Sequence, residues 1–388
     1  MRSRKAACLI ALSMVVVAPN ASADVRFGSS GITLAPASRA FRLRIGGRLH
    51  VDSVNFNNGL TQFQDQFDVR RARLSLAGRF GKDWRLLVDR DYSDASRGWK
   101  NAWISYRGFG HFTLKAGQMV APFGMEELAP SNDTLFMERA LPSALTPGLV
   151  VGAQGSRAWK HGSATLGYFG NPLDVEFGKT AATGRSVIGR VTYSPVHSDT
   201  QSIHLGLAYD RRDVDPGSAF RISASPETGL TTTTLLNTRN IFFVEGFSRR
   251  GVEGAWSVGP MTLQAEYVSM DVGRTYFPNS RFDGWYIAAA YILTGERRPY
   301  KVSSGNFGEV RPTGRWGAVE VALRRSSLDL QDETVLGGQA WNDSVGVNWY
   351  LGRNFRVMAN YTQSKAAPNR HGLDEKTAIF QVRAQVDY

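Results

Sequence analysis

The sequence has almost no cysteine. Cys8 is the only one, and it lies at the start of an N-terminal apolar run, not after that run, where a lipid-modified cysteine would stand. A chain without a second cysteine has no disulfide framework and no cysteine zinc site. We therefore expect no thiol chemistry in the mature protein.

Long hydrophobic runs are missing as well. The longest one covers residues 6–18, which is shorter than the ~20 residues that a membrane-spanning helix needs. It follows three basic residues and precedes a small-x-small sequence ending at Ala23, the form of a cleaved export signal. We predict a signal peptide over residues 1–23 that is cleaved after Ala23. Because no later apolar stretch is long enough for a helix, we expect any membrane insertion to use a barrel.

Motifs for catalysis and cofactor binding are also missing. The six histidines show no metal-ligand spacing, and no glycine-rich phosphate loop stands between a strand and a helix. His50 and Ser53 are close in sequence, but they would point to opposite faces of a strand, and no strained nucleophile turn is present. The sequence therefore predicts neither an enzyme nor a cofactor, and no catalytic or metal-binding residue.

Acidic residues are fewer than basic ones. The chain has 34 acidic and 46 basic residues, a net charge of +12. A basic balance fits nucleic acid, an anionic lipid surface or small anions in a channel, and export argues against nucleic acid. The charged fraction of 21% and the mean hydropathy of −0.26 are typical of a soluble protein, but a barrel with a polar bore also averages out as polar.

Strict alternation of apolar and basic residues is what the sequence does contain. Between residues 41 and 51, the apolar set is Phe41, Leu43, Ile45, Leu49 and Val51, and the basic set is Arg42, Arg44, Arg48 and His50. Since side chains alternate across a strand, one face suits lipid and the other suits water. Three arginines facing lipid near the midplane would cost on the order of 6 to 12 kcal/mol, so the basic face must line water. The segment fits a membrane barrel or a strand of a soluble sandwich.

The C-terminal segment alternates in the same way and ends on the aromatic Tyr388, which is typical of the closing strand of an outer-membrane barrel. Similar segments predict sixteen strands near residues 41–54, 67–80, 84–92, 100–107, 111–119, 150–160, 163–170, 185–195, 202–211, 241–257, 261–271, 282–293, 315–324, 342–351, 355–364 and 375–388. We predict an all-β fold, a 16-stranded antiparallel transmembrane barrel over 41–388, preceded by a short periplasmic lead at 24–40.

The predicted connections alternate between short turns and long loops, with two notable cases. Residues 120–149 contain four prolines and follow the fifth strand, so we expect this third long loop to fold into the bore and narrow it; a surface loop is the alternative. Residues 294–314 are long where a short turn is expected. Residues 282–293 are apolar at both parities, which a packed inner loop or a subunit interface would explain.

On the first two strands, the alternate positions that carry polar side chains form two neighbouring rows of basic residues. The predicted lumen positions are Arg42, Arg44, Arg48 and His50 on the first strand and Arg71, Arg73 and Arg79 on the second. Guanidinium groups suit oxyanions because they stay charged and offer paired donors, and rings of such residues select anions in pores. Arg190, Arg324, Arg356 and Arg383 share this parity. In the simpler alternative, these charges only solvate the bore and pair with Asp52, Asp89, Asp91 and Glu266.

Longer segments carry a family resemblance. They are FRLRIGGRL at 41–49, RRARLSLAG at 70–78, FGME at 123–126, IHLGLAYDRRD at 203–213, GVEGAWSVGPMTLQAEY at 251–267, YILTGERRPYK at 291–301 and VGVNWY at 345–350. Together they resemble the phosphate-selective porin O and P family of the bacterial outer membrane. The resemblance implies a homotrimer of 16-stranded barrels, an inward third loop, an arginine ladder leading phosphate to a central site, and a long connection near 294–314.

The resemblance also assigns individual positions. Arg48, Arg70 and Arg71 fall where the family has central-site arginines, and Arg70 has the lipid parity, so its role requires a β-bulge or a strand end. Two positions depart from the family: Asn132 stands where it has an inner-loop lysine, and Lys100 where it has a pore aspartate. The inner-loop charges are Glu126, Glu127, Asp133 and Glu138 against Arg139, a net charge of −3.

We therefore expect a passive outer-membrane channel for small anions, with phosphate or polyphosphate as the main candidates. The acidic inner loop equally suits a general diffusion porin with weak anion preference, and a non-conducting barrel is a third possibility. The expected partners are inorganic phosphate or other small anions, outer-membrane lipid and further copies of the chain, and not nucleic acid.

Overall fold

The structure is a computed structural model that describes residues 23–28, 31–36, 38, 40–93, 98–174, 182–218 and 220–388. Within these residues the chain forms a closed antiparallel barrel in which each of sixteen strands pairs with the next and the last pairs with the first. The predicted all-β fold is confirmed. The predicted signal peptide, apart from Ala23, lies outside the described residues.

The barrel strands are β1 Phe41–Asn57, β2 Gln66–Phe80, β3 Trp84–Asp91, β4 Trp99–Phe109, β5 Phe112–Val120, β6 Leu149–Trp159, β7 Gly162–Gly170, β8 Gly184–Tyr193, β9 Gln201–Val214, β10 Val244–Val258, β11 Met261–Arg274, β12 Ser280–Ile292, β13 Ala318–Asp332, β14 Val335–Tyr350, β15 Phe355–Ala366 and β16 Glu375–Asp387. Antiparallel neighbours with no free edge satisfy the backbone hydrogen bonds that lipid cannot.

Closure joins β16 to β1, from the Ala378–Asn57 pair to the Asp387–Arg48 pair. Beyond that point a hairpin of Ala23–Gly28 and Gly31–Pro36 continues the sheet along the start of β1. The N-terminal lead at 24–40 is therefore largely β-structure. The sequence analysis predicted no strands there.

The outer face of the barrel is apolar. On β9, Leu205 and Leu207 are 51% and 63% exposed, whereas His204 and Asp210 on the other parity are 1% and 0% exposed. Exposed aromatic side chains mark the strand ends on the side of the barrel that carries the turns: Trp84, Phe109, Phe112, Trp159, Tyr193, Trp256, Tyr291, Trp349 and Phe355. An apolar belt with aromatic edges is the surface of a transmembrane barrel. None of the described helices has the length and apolarity needed to cross a bilayer.

Two predicted strands are too short. β13 and β14 extend to a tight turn at Glu333 and Thr334, whereas strands over 315–324 and 342–351 leave a long loop there. The outward-facing positions of the intervening segment, such as Ser327 and Asp329, are polar, so the segment looks like a loop, although Leu328 and Leu330 face inward and are fully buried. On the outer face, polar residues form pairs such as Arg325–Asp343, at 3.6 Å, which allow the sheet to continue as a polar hairpin.

The third long loop, residues 121–148, folds into the barrel as predicted. It carries a short helix, Met125–Leu128, and a 3-10 helix, Leu141–Leu145, and its Phe123 and Leu145 are 0% exposed. Further loop residues pack against β12 and β13 in a cluster of Leu135, Phe136, Ala140, Tyr286, Ala288, Ala290 and Ala322. A packed inner loop therefore accounts for the apolar residues at both parities of β12.

Two further segments enter the bore, and the sequence analysis missed both. The fifth loop, residues 215–243, buries Phe220 and Ile222 completely. The long turn at 293–317 buries Arg298 and Tyr300 from the opposite end. Together with the third loop they fill much of the lumen beside β8–β16.

Candidate pore and its basic wall

Two cavities run along the wall formed by β1–β5. The loop-side cavity has a volume of about 710 Å³ and is bounded by the third and fifth loops. The turn-side cavity has a volume of about 400 Å³ and is bounded by the long turn and the turn after β14. Arg48, Arg73 and Asp89 line both cavities. The two cavities therefore share part of their lining at Arg48.

A β-bulge turns Arg70 into the bore. Across β1 and β2, His50 is opposite Arg71 and Val51 is opposite Val69, so Arg70 is the extra residue. Its guanidinium donates to both oxygens of Glu138 of the third loop at 2.9 and 3.0 Å. The bulge that the lumen role of Arg70 requires is therefore present. Without it, Arg70 would face lipid.

A second irregularity turns Lys100 inward. Val88 is opposite Ala102 and Arg90 is opposite Trp99, so Lys100 and Asn101 together oppose Asp89. Lys100 would otherwise share the outward parity of Ala102, but it lines the loop-side cavity. The sequence analysis named Lys100 through the family resemblance, with no local signal for the bulge.

Three guanidinium groups converge on Glu138. Arg383 donates to Glu138 at 2.8 Å and forms a bidentate pair with Asp52 at 2.7 and 2.6 Å, and Arg71 lies 3.5 Å from Glu138. Burial by itself would raise the pKa of Glu138, but the charges of Arg70, Arg71 and Arg383 hold it well below its usual range. Part of the basic wall is therefore neutralised by the third loop.

His50 adds no charge to this wall. Its Nδ1 accepts from Arg71 at 3.4 Å, and its Nε2 faces Asn132 Oδ1 at 3.2 Å. Since an arginine can only donate, Nδ1 carries the lone pair and Nε2 the proton, which is the neutral tautomer. His50 is fully buried and lines neither cavity.

Arg48 differs from the neighbouring arginines in the type of group that accepts its hydrogen bond. Its Nη1 donates to the hydroxyl of Ser131 at 2.9 Å. Arg73, directly opposite in register, forms an ion pair with Asp91 at 3.0 Å. Arg44 is exposed in the turn-side cavity, whereas Arg42 lies at the exposed start of β1 outside both cavity linings. Among the described residues, no carboxylate lies within ion-pair distance of Arg48, although Asp387, opposite it in register, and Asp89 line the same cavity. The charge of Arg48 is therefore less compensated than that of an ion-paired arginine.

The acidic residues of the third loop mainly anchor the loop. Glu126 accepts from Arg324 at 3.2 Å, and Glu127 accepts from the Thr146 hydroxyl at 2.8 Å. Arg139 donates to the carbonyl of Glu126 at 3.0 Å. Burial raises the pKa of Asp133, although Arg298 opposes the shift. Of these residues, Glu127, Glu138 and Arg139 line the loop-side cavity and Asn132 the turn-side cavity.

Wall arginines also bind backbone carbonyls of the third loop. Arg356 donates to the carbonyls of Asn132 and Thr134 at 2.9 and 2.8 Å, and Arg383 donates to that of Met137 at 2.7 Å. These predicted lumen arginines therefore hold the loop in place. Arg190, also predicted, instead binds Glu253 and the long turn.

Net positive charge remains in both cavities. The loop-side lining has seven basic and five acidic side chains, and the turn-side lining has five and three, so each has a net side-chain charge of +2. The sequence analysis missed Glu309, Arg311 and Arg353 of the turn-side lining, because they lie outside regular strands, where parity says nothing about direction. Among the described residues, no three His, Cys, Asp or Glu side chains are grouped to hold a metal ion.

The closed barrel, its apolar belt and its narrowed charged bore define the class of outer-membrane porins, which are channels and not enzymes. The chain belongs to the family described as phosphate-selective porin O and P, whose model matches residues 43–388.

Porin O of Pseudomonas aeruginosa is 26% identical to the chain over 89% of the chain and 88% of that protein. The anion-selective porin from Comamonas acidovorans has a TM-score of 0.57 at 14% identity, covering 90% of this chain and 100% of that one. The trimer form of OmpT from Vibrio cholerae has a TM-score of 0.56 at 12% identity, with the same coverages. At these low identities, the matches show that the chain shares the fold of these porins.

Proposed function

We propose that the chain forms a passive channel for small anions, with inorganic phosphate or polyphosphate as the main substrates, along the arginine-lined path past Arg48. The observation that carries this proposal is the net positive charge of both cavities, which adjoin at Arg48. The family description supports phosphate as the ion, and Arg42, which lies outside the cavities, is not needed for the path.

The physical basis is replacement of hydration. Arg48 and Arg44 offer charged donors beside the bore, and an oxyanion exchanges bound water for these donors as it passes. Arg71 and Arg73 contribute field, although Glu138 and Asp91 compensate them in part. Conduction requires binding weak enough for release, and a wall of partly compensated arginines meets that condition.

We further propose that the chain is exported by a signal peptide cleaved after Ala23 and assembles as a homotrimer in the outer membrane. The basic and apolar N-terminal residues support export. The trimer form of OmpT, which shares the fold, supports the assembly state. Native gels and crosslinking of the purified protein test the trimer, and N-terminal sequencing tests the cleavage site.

The test of the channel is recording in planar bilayers. We expect a reversal potential of anion-selective sign in a potassium chloride gradient, and block of the chloride current by low concentrations of phosphate. A cation-selective or zero reversal potential contradicts the proposal of an anion path.

A general diffusion porin with weak anion preference is the second candidate. The pairing of Arg70, Arg73 and Arg383 with carboxylates favours it, because a compensated arginine attracts a mobile anion less strongly. In that case chloride selectivity remains, but phosphate reduces chloride current only at concentrations near that of chloride itself.

A further inference from the structure

The loop-side cavity has an apolar wall that inorganic anions do not use. Leu87 of β3 and Trp103 of β4 are directly opposite each other in register, and both line the cavity. The next lumen positions on these strands, Asp89 and Asn101, are polar. Leu87 and Trp103 are only partly buried, so both present apolar surface to the bore.

A cation lies directly on this apolar surface. The Nζ of Lys115 is 4.7 Å from the centroid of the Trp103 ring, and Lys115 lines the same cavity. Another part of the Trp103 side chain packs against the core cluster that includes Met119 and Leu141. The indole is therefore held between the core cluster and the Lys115 ammonium, so that a positive charge lies directly beside the apolar surface of Trp103 and Leu87.

Other parts of the cavity lining are apolar as well. Val120, Leu128 and Leu230, from the end of β5, the third loop and the fifth loop, line the cavity and are partly exposed. The cavity volume of about 710 Å³ lies within the range of roughly 300 to 1,000 Å³ typical of sites for organic ligands. In the turn-side cavity, by contrast, the lining is charged, polar or glycine apart from Tyr388.

We propose that the loop-side cavity is a binding site for small organic anions that carry an aromatic ring. The ring packs against Leu87 and Trp103, and the anionic group faces Lys115 and the arginines of the neighbouring β2. This inference rests on the proposed function and names a further substrate class for the same channel.

The physical reason is a difference in desolvation. An inorganic oxyanion beside Leu87 and Trp103 loses water contacts and gains no donor there. An aromatic anion of the same charge buries its ring on this surface and keeps its head group among cations. The cavity should therefore retain aromatic anions longer than inorganic ones.

The test compares phenyl phosphate with methyl phosphate, which share a head group and differ in the ring. We measure the concentration of each that halves the chloride current of the purified full chain in bilayers. We expect phenyl phosphate to act at a concentration lower by about tenfold, the effect of burying roughly two CH₂ groups. Trp103→Ser should bring the two values together, and Trp103→Phe should keep them apart.

Equal blocking concentrations in the unaltered protein would overturn the inference, as would an unchanged ratio in Trp103→Ser. Leu87→Ser provides a second variant if Trp103→Ser does not fold, and we expect it to reduce the ratio. The reversal potential separates this result from a failure of the proposed function: an anion-selective channel with equal blocking concentrations contradicts only the aromatic site, whereas a cation-selective channel contradicts the anion path.

Discussion

At the scale of single residues, arginine has two roles in this bore, and its partners distinguish them. Arg383 is 0% exposed and bound by Asp52 and Glu138, so its charge is compensated and it positions the third loop. Arg48 lines both cavities and donates to a neutral hydroxyl. We therefore expect a passing anion to meet mainly the charge of cavity-lining arginines such as Arg48.

Arg48→Ala should reduce anion selectivity. Two charges about 4 Å apart in water interact by about 1 kcal/mol, so loss of this guanidinium should lower the anion-to-cation permeability ratio by about fivefold. Reversal potentials in a potassium chloride gradient measure the ratio. Arg48→Lys is the matched control and should keep most of the selectivity because it keeps the charge. Equal ratios in Arg48→Ala and the unaltered protein would refute the role of Arg48.

Glu138→Gln should destabilise the barrel. The change leaves three guanidinium groups without the carboxylate on which they converge, and removal of one partner of a buried ion pair costs about 3 to 5 kcal/mol. Urea unfolding followed by tryptophan fluorescence measures the loss. Glu333→Gln, in the exposed turn after β13, is the control and should change the unfolding free energy little. Similar stability of the two variants would show that Glu138 is not an anchor.

At the scale of elements, a β-bulge changes which residues face the bore while the strand stays in register. Val69, before Arg70, faces outward, and Arg71, after it, faces inward, as their partners on β1 do. Removal of Arg70 would therefore leave a regular ladder. Removal of any residue outside the bulge would move every following side chain to the other face.

Deletion of Arg70 should give a folded barrel with a weaker hold on the third loop. Deletion of Leu74, which lies in a regular part of β2, should abolish folding because it turns Arg73 and Arg71 towards lipid. Heat-modifiable migration on gels measures folding of both variants. If the Arg70 deletion fails to fold and the Leu74 deletion folds, the assignment of the bulge is wrong.

The sequence predicts some structural elements better than others, and the reasons are physical. Alternation identified all sixteen strands because a two-residue period is enforced wherever one face meets lipid and the other meets water. The same period gave Arg48 and Arg73 the correct face. The sequence analysis also named Asp52 and Asp91, which pair with Arg383 and Arg73. It did not identify Glu138 as a partner, because the Arg383–Glu138 contact joins positions far apart in the chain through a loop.

The fifth loop shows where this reasoning stops. Its apolar residues Phe220, Ile222 and Ile241 are a signal of burial, but they have no period that indicates a direction. Glu227 of this loop binds Arg324 at 2.6 Å, a contact that ties the fifth loop to the barrel wall. Such a contact becomes visible only once the fifth loop is folded against the barrel wall.

At the scale of the whole molecule, one half of the barrel is filled by loops and the other half contains the two cavities. The third loop, the fifth loop and the long turn pack beside β8–β16, and both cavities run along β1–β5. If the proposed ion path runs beside this wall, we expect the basic residues of β1 and β2 to matter more for selectivity than the arginines opposite, which bind the loops.

The anion preference should increase as the pH falls. Burial raises the pKa of Glu309, which lines the turn-side cavity, and burial also raises the pKa of Asp133. Both groups therefore take up protons at a higher pH than ordinary carboxylates, and each protonation removes a negative charge near the path. Reversal potentials between about pH 7 and about pH 4 measure the effect.

Glu309→Gln is the control for this pH dependence. It should be more anion-selective than the unaltered protein at neutral pH and should change less on acidification, because one titrating group is gone. An anion preference that decreases with acidification would contradict the assignment.

The path itself is tested by labelling a single cysteine at Arg48. In a chain that also carries Cys8→Ser, Arg48→Cys should react with a water-soluble, anionic methanethiosulfonate reagent, and the current should fall as the reagent attaches. Leu49→Cys, on the lipid-facing side of the same strand, is 43% exposed as leucine and should leave the current unchanged under the same treatment. A current that is insensitive at position 48, or equally sensitive at both positions, would contradict a conduction path past Arg48.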